Sequence, residues 1–188
     1  PGPDKMPDRH RRNEAPLVLD GRVYAEGFRT LDQTPILMCF DAYNGLPYWE
    51  RPFPGAGRLD ILADCGNLAV SSNGLFVAAG NACYRLDLAT GETKGSYRTP
   101  SGGEWAWVAT VGDTLFGSEY DGYQFSRNVF AYEVDSGRLK WRYANGVIRN
   151  ATLAVHDGAV YFVEHRGQKT APRVLRPLEK IAAQAAER

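Results

Sequence analysis

Two short stretches hold the side chains best able to do chemistry. EYDGYQFSR brings Glu119, Asp121 and Arg127 together, and DRHRRNE, residues 8–14, brings Arg9, Arg11 and Arg12 together. The first reads as a long loop between two strands, and loops held on a rigid scaffold are where ligand contacts collect, although carboxylates there are often simply solvated. The second could bind phosphate, nucleic acid or an acidic partner. No aromatic residues interleave its arginines, and 22 Lys plus Arg stand against 22 Asp plus Glu, so no net field steers the chain to a polyanion. A plainer role for these arginines is pairing with carboxylates of a neighbouring unit or lining a channel.

The remaining reactive residues form no catalytic set. Cys39, Cys65 and Cys83 lack metal-ligand or redox-pair spacing; Cys65 and Cys83 could meet as a disulfide, the simpler reading being buried free thiols. His156 beside a turn and His165 at a strand end read as solvated histidines, and no G-x-S-x-G elbow is present. Trp105 and Trp107 could offer a stacking platform for a glycan, but they fit better as packing residues at a strand entrance. Asn150-Ala151-Thr152 matches a glycosylation acceptor and decides nothing. No catalytic, cofactor-binding or metal-ligating residue is assigned, and no cofactor is expected. No run approaches the roughly 18 apolar residues of a membrane-spanning helix, and the first residues do not form an export signal.

What positions these side chains is a repeat. Asp41 leads to Gly45, Asp87 to Gly91 and Glu133 to Gly137, and successive glycines are 46 residues apart. Around this beat lie four strand-turn-strand units with the turn pairs Asp20-Gly21, Asn73-Gly74, Gly112-Asp113 and Asp157-Gly158, the chemistry of tight hairpins. In the first three units a third strand (ILMCF, ACYRL, VFAYE) reaches the acid, and a fourth follows the glycine (LPYWE, ETKGSY, RLKWRY). Four short antiparallel strands per repeat make one propeller blade. Trp49 and Trp141 stand four residues past their turn glycine, where a large ring would pack between blades. The middle copy has Gly95 there and Tyr97 two residues on, so its joint should be weaker or filled by a neighbour.

DAYNGLPYW, LDLATG and EVDSGRLKW resemble the repeat of pyrroloquinoline quinone (PQQ) dehydrogenases and of the cofactor-free propellers related to them, including the bacterial outer-membrane assembly lipoprotein. The likeness covers roughly residues 15–165. It implies an all-β propeller of seven or eight four-stranded blades and a periplasmic or cell-surface location. For the quinone it implies adjacent cysteines, a calcium site and an aspartate base; this chain has no Cys-Cys pair, and no C-x-x-C-H for haem. The resemblance therefore favours a binding scaffold, with part of a PQQ-dependent or related oxidoreductase as the alternative.

The expected organisation is a basic lead-in (1–14), blade one (15–63), blade two (64–104), blade three (105–147), half a blade (148–170) and an alanine-rich helical tail or insertion (171–188) starting near Pro177. About three and a half blades do not close a ring. The expected partners are the remaining blades, from a longer chain or another subunit, and a protein ligand; neither nucleic acid nor a membrane span is expected.

Overall fold

The computed structural model describes residues 16–29, 32, 34–56, 66–122 and 124–165. Arg9, Arg11, Arg12, Cys65 and the expected helical tail lie outside them. Blade one is β1 (Leu17–Leu19), β2 (Arg22–Phe28), β3 (Pro35–Asp41) and β4 (Pro47–Pro52), paired in that order. Blade two is β5 (Leu68–Ser71), β6 (Gly74–Ala79), β7 (Ala82–Leu86) and β8 (Thr93–Arg98). Blade three is β9 (Trp105–Val111), β10 (Thr114–Tyr120), β11 (Phe125–Glu133) and β12 (Leu139–Tyr143), with β13 (Ile148–Arg149) added beside the start of β11. A hairpin of β14 (Ala154–His156) and β15 (Ala159–Tyr161) follows. All pairing is antiparallel, so the chain is all-β and propeller-like, as expected.

The signature acids act as turn formers. Asp41 Oδ1 accepts the amides of Tyr43 and Asn44 at 2.9 and 3.0 Å, and Asp87 Oδ1 accepts those of Ala89 and Thr90 at 2.8 and 2.9 Å. In each turn the glycine amide returns to the acid's carbonyl. Gly45, Gly91 and Gly137 take φ of 72, 73 and 67°, a left-handed conformation cheap only for glycine. Glu133, one methylene longer, accepts the Ser136 hydroxyl and pairs with Arg138 at 3.4 Å instead. The spacing is thus repeated because the turn is repeated.

One turn pair is corrected. Ser71 pairs directly with Gly74, so the two-residue turn is Ser72-Asn73, and Gly74 opens β6 at φ 146°. A Cβ there would lie 2.8 Å from the Leu86 carbonyl, which explains a glycine inside the strand.

Alternation along the strands gives each blade two apolar faces, and the core lies between blades. Tyr24, Leu37, Cys39 and Phe53 from the back of blade one meet Leu68, Leu75, Val77 and Leu86 from the front of blade two. Phe76, Cys83 and Tyr97 from the back of blade two meet Val108, Leu115, Phe130 and Tyr132 of blade three. Cys39 and Cys83 are buried free thiols with pKa values raised by burial.

Both joints end on the same acceptor, the carbonyl of the residue after the acid. Trp49 Nε1 donates to Leu88 O at 3.1 Å, with its ring against Gly91. Tyr97 Oη donates to Val134 O at 2.5 Å. The middle joint is therefore filled by Tyr97 itself, reaching from two residues further along. Trp141 packs on Phe116 of its own blade and keeps 39% of its surface exposed.

Candidate functional site: the loop end of blade three

Each blade has two ends. One carries the hairpin turns and the acid-to-glycine turns, whose repeat acids are spent within their own turns, while Asn73 reaches Gly112 O and Arg85 pairs with Asp135 across to blade three. The other carries the connections between the second and third strands and between blades, and these differ from copy to copy. The buried polar residues of blade three gather at this second end.

Glu119 was expected in a loop, and that placement is corrected. The β10 and β11 ladder runs from Thr114↔Glu133 out to Tyr120↔Ser126, so Glu119 lies inside β10 and Arg127 inside β11, leaving only residues 121–124 as the connection. A register shift at Glu119/Tyr120 accommodates the strand end. Glu119 is fully buried. Its Oε1 accepts the Gly103 amide at 3.1 Å and its Oε2 accepts Asn128 Nδ2 at 2.7 Å. A Cβ on Gly103 would collide with the Glu119 carboxylate, so a glycine there leaves room for it.

From Glu119 the network spreads over three connections. Asn128 Nδ2 also donates to Ser101 Oγ at 3.0 Å, Arg142 Nη2 donates to the same hydroxyl at 2.6 Å, and Asn128 Oδ1 accepts the Asn145 amide at 3.3 Å. The Ser126 hydroxyl sits 2.8 Å from Ser118 Oγ and 2.6 Å from Asn150 Oδ1, and the Asn150 amide donates to Gln124 O. Such a buried and connected network holds its loops in one arrangement. Asn150 is buried within it, which removes the acceptor residue of the glycosylation pattern from the surface.

The expected trio thus separates by role. Glu119 is interior. Arg127 Nη2 and Asp121 Oδ1 form a 3.2 Å ion pair at the rim, with the arginine side chain half exposed. Exposed Arg142 and Arg149 stand at the same end, Arg149 donating to Gln124 Oε1 at 2.8 Å. A rim of guanidinium groups on an ordered base can take carboxylates or peptide carbonyls by charge-assisted hydrogen bonds.

Sequence reasoning missed Ser101, Asn128, Arg142, Asn145 and Asn150. Strand parity could have supplied part of this: Leu115, Gly117 and Glu119 share one face of β10, opposite Phe116 and Ser118, and both faces are buried, so a polar residue on either is interior. Trp105 is buried edge-on against Phe130 at 4.9 Å, as a packing residue. His156 and His165 are exposed. Among the described residues no three His, Cys, Asp or Glu side chains group as metal ligands, and no helix is long and apolar enough to cross a membrane.

No protein-family model matches the chain, and no curated protein matches it. Solved structures do. Quinohemoprotein alcohol dehydrogenase from Comamonas testosteroni is 18% identical with a TM-score of 0.53, over 75% of this chain and 22% of its own. The computationally designed Ika4 protein is 12% identical with a TM-score of 0.61, over 86% of this chain and 91% of its own. BamB from Moraxella catarrhalis is 21% identical with a TM-score of 0.48, over 81% of this chain and 47% of its own. The chain spans about a fifth of the dehydrogenase. At these identities the first two likenesses are of fold, and with the sheet order they make this chain an array of β-propeller blades.

Proposed function

We propose that this chain is a non-catalytic PQQ-like propeller module that presents its loop end as a binding surface for a protein ligand, in the periplasm or at the cell surface. The observation that supports this reading is the division of polar residues. The repeat carboxylates are consumed by their own turns, whereas the blade-three loops rest on a buried network and carry Arg127, Asp121, Arg142 and Arg149 outward. A partner with acidic side chains or a free strand edge fits that rim. Further blades, from the same polypeptide or another subunit, complete the assembly.

The test compares two charge reversals in chemical cross-linking to envelope proteins of the source organism. Arg127→Glu is expected to lose a defined cross-linked partner, and Lys140→Glu at the turn end to keep it. Equal loss in both variants, or in neither, would refute the loop-end assignment. A spectral change on adding pyrroloquinoline quinone and calcium to the chain would instead favour the oxidoreductase alternative.

A further inference from the structure

The second strand of every unit carries an aromatic ring at the same place. Tyr24, Phe76, Phe116 and Tyr161 are the third residues of β2, β6, β10 and β15. The first three are buried, and Tyr161 is 56% exposed. Tyr24 shows what the position is for: its ring lies in the joint with blade two, and its hydroxyl donates to Leu88 O at 3.4 Å, the carbonyl that Trp49 also uses. The matching carbonyl on blade one is Ala42 O. Ala42 is exposed, and no donor reaches its carbonyl among the described residues. A Cβ on Gly45 would meet nothing within 4 Å, whereas the Trp49 ring covers Gly91. The apolar residues nearby are open as well. Val18 and Leu46 are each 64% exposed, and Val23 and Phe40 are half-buried where their counterparts in blade two, Leu75 and Leu86, are buried. Only the loop-end part of this face, Ala25, Ile36 and Met38, is buried.

We propose that the turn-end front face of blade one docks a second copy of this chain, receiving the β14 and β15 hairpin of that copy with the Tyr161 hydroxyl donating to Ala42 O. What selects this occupant is that one chain carries both unmatched halves of a joint it already makes twice. Blade one meets blade two, and blade two meets blade three, back to front in the same sense. By register Tyr161 is a back-face ring like Tyr24, and Ala42 is a front-face acceptor like Leu88. The turn of blade one is also chemically suited to an interface. It places Tyr43 and Leu46 where blade two has Ala89 and Glu92 and blade three has Asp135 and Arg138, so apolar residues replace charged ones at this turn alone. A head-to-tail contact closes when its rotation divides a full turn. Three blades and a hairpin occupy four blade positions, so two copies supply eight, within the roughly four to eight blades of closed propellers, and each copy gives one joint and receives one.

The inference rests on the propeller-module reading and names what supplies its further blades; it uses neither Arg127 nor the loop-end surface, so each can fail alone. Light scattering on the full chain over a dilution series should give twice the mass of one chain at the concentrated end. Tyr161→Asp and Leu46→Asp then place a charge in opposite halves of the joint. Both side chains are exposed, so both variants should show the circular dichroism of the folded chain when dilute, and each should weaken association by roughly tenfold or more. Mixing the two variants tests the polarity. Tyr161 of the Leu46→Asp chain can meet Leu46 of the Tyr161→Asp chain across one intact joint, so the mixture should associate more tightly than either variant alone. The mass of a single chain at every concentration overturns the proposal in favour of blades from the same polypeptide. Unchanged association in both variants, or a mixture no tighter than its components, overturns the assigned faces. Arg127→Glu should leave the two-copy mass unchanged, which keeps this joint distinct from the loop-end surface.

Discussion

The turn end and the loop end of the blades use the same residue types for opposite purposes. At the turn end Asp41 and Asp87 lie at the surface and satisfy amides two and three residues away, so each carboxylate closes its own chain segment and is otherwise occupied. At the loop end Glu119 is buried and joins segments far apart in sequence, through Gly103 and Asn128. Local satisfaction makes a turn that can be copied every 46 residues. Non-local satisfaction makes a platform that belongs to one blade and that can differ from its neighbours.

The sharpest way to break this contrast is at the turn glycines, which share a backbone conformation but differ in surroundings. Gly91 and Gly45 have φ of 73 and 72°, yet a Cβ on Gly91 would lie 2.8 Å from the Trp49 ring and one on Gly45 would meet nothing within 4 Å. Both pay the left-handed strain of about 1 kcal/mol on substitution by alanine. Gly91→Ala must also displace the ring that locks two blades, for a total of about 3 kcal/mol. Urea unfolding of the two variants measures the difference; equal losses would show that the blade joint does not lean on this turn.

At the loop end the large effect comes from removing the carboxylate. Glu119→Ala strands the Gly103 N–H and one of the two Asn128 Nδ2 protons, the other being held by Ser101, at a cost of about 2 kcal/mol. The three connections tied by Ser101, Asn128 and Asn145 should then exchange their amides faster, with the turn-end amides unchanged. Uniform exchange across both ends in that variant would mean that the network is not local to the platform.

Acid separates the ends further. The Lys94 ammonium beside it and the amides of Thr90 and Ala89 hold Asp87 at about 2, Tyr48 and two amides lower Asp41, and Ser136 and Arg138 lower Glu133. A carboxylate lowered in the folded state stabilises it fully above the unfolded value near 4 and loses that contribution as pH falls toward the folded value. The urea midpoint should therefore drop between about pH 4 and 2, and Asp87→Asn should flatten part of that drop. An unchanged pH profile in the variant would remove Asp87 from the explanation.

What was legible in the sequence follows the same division. The acid, the glycine and their spacing are local features, so the three four-stranded blades and the hairpin that follows them could be read directly. The Asn73-Gly74 pair misled by one residue because Gly74 answers to the close Leu86 carbonyl rather than to a turn. Glu119 was misplaced because EYDGYQFSR is polar enough to look like a loop, while its ladder partners lie on another strand. Tyr97 shows the intermediate case. Its chemistry was visible, but its reach to Val134 O depends on how two blades meet.

The smallest stability effect is expected where binding should change most. Arg127 and Asp121 form an exposed pair, and exposed pairs contribute about 0.5 kcal/mol or less. Arg127→Glu should leave the melting temperature nearly unchanged. Lys140→Glu, which removes a 3.1 Å pair with Asp113 at the turn end, should do the same. With stability matched, any difference in partner cross-linking between the two variants reports on the surface alone. A loss confined to Arg127→Glu would separate recognition from folding on one blade; a melting shift of several degrees in that variant would mean the rim arginine belongs to the supporting network and not to the surface it carries.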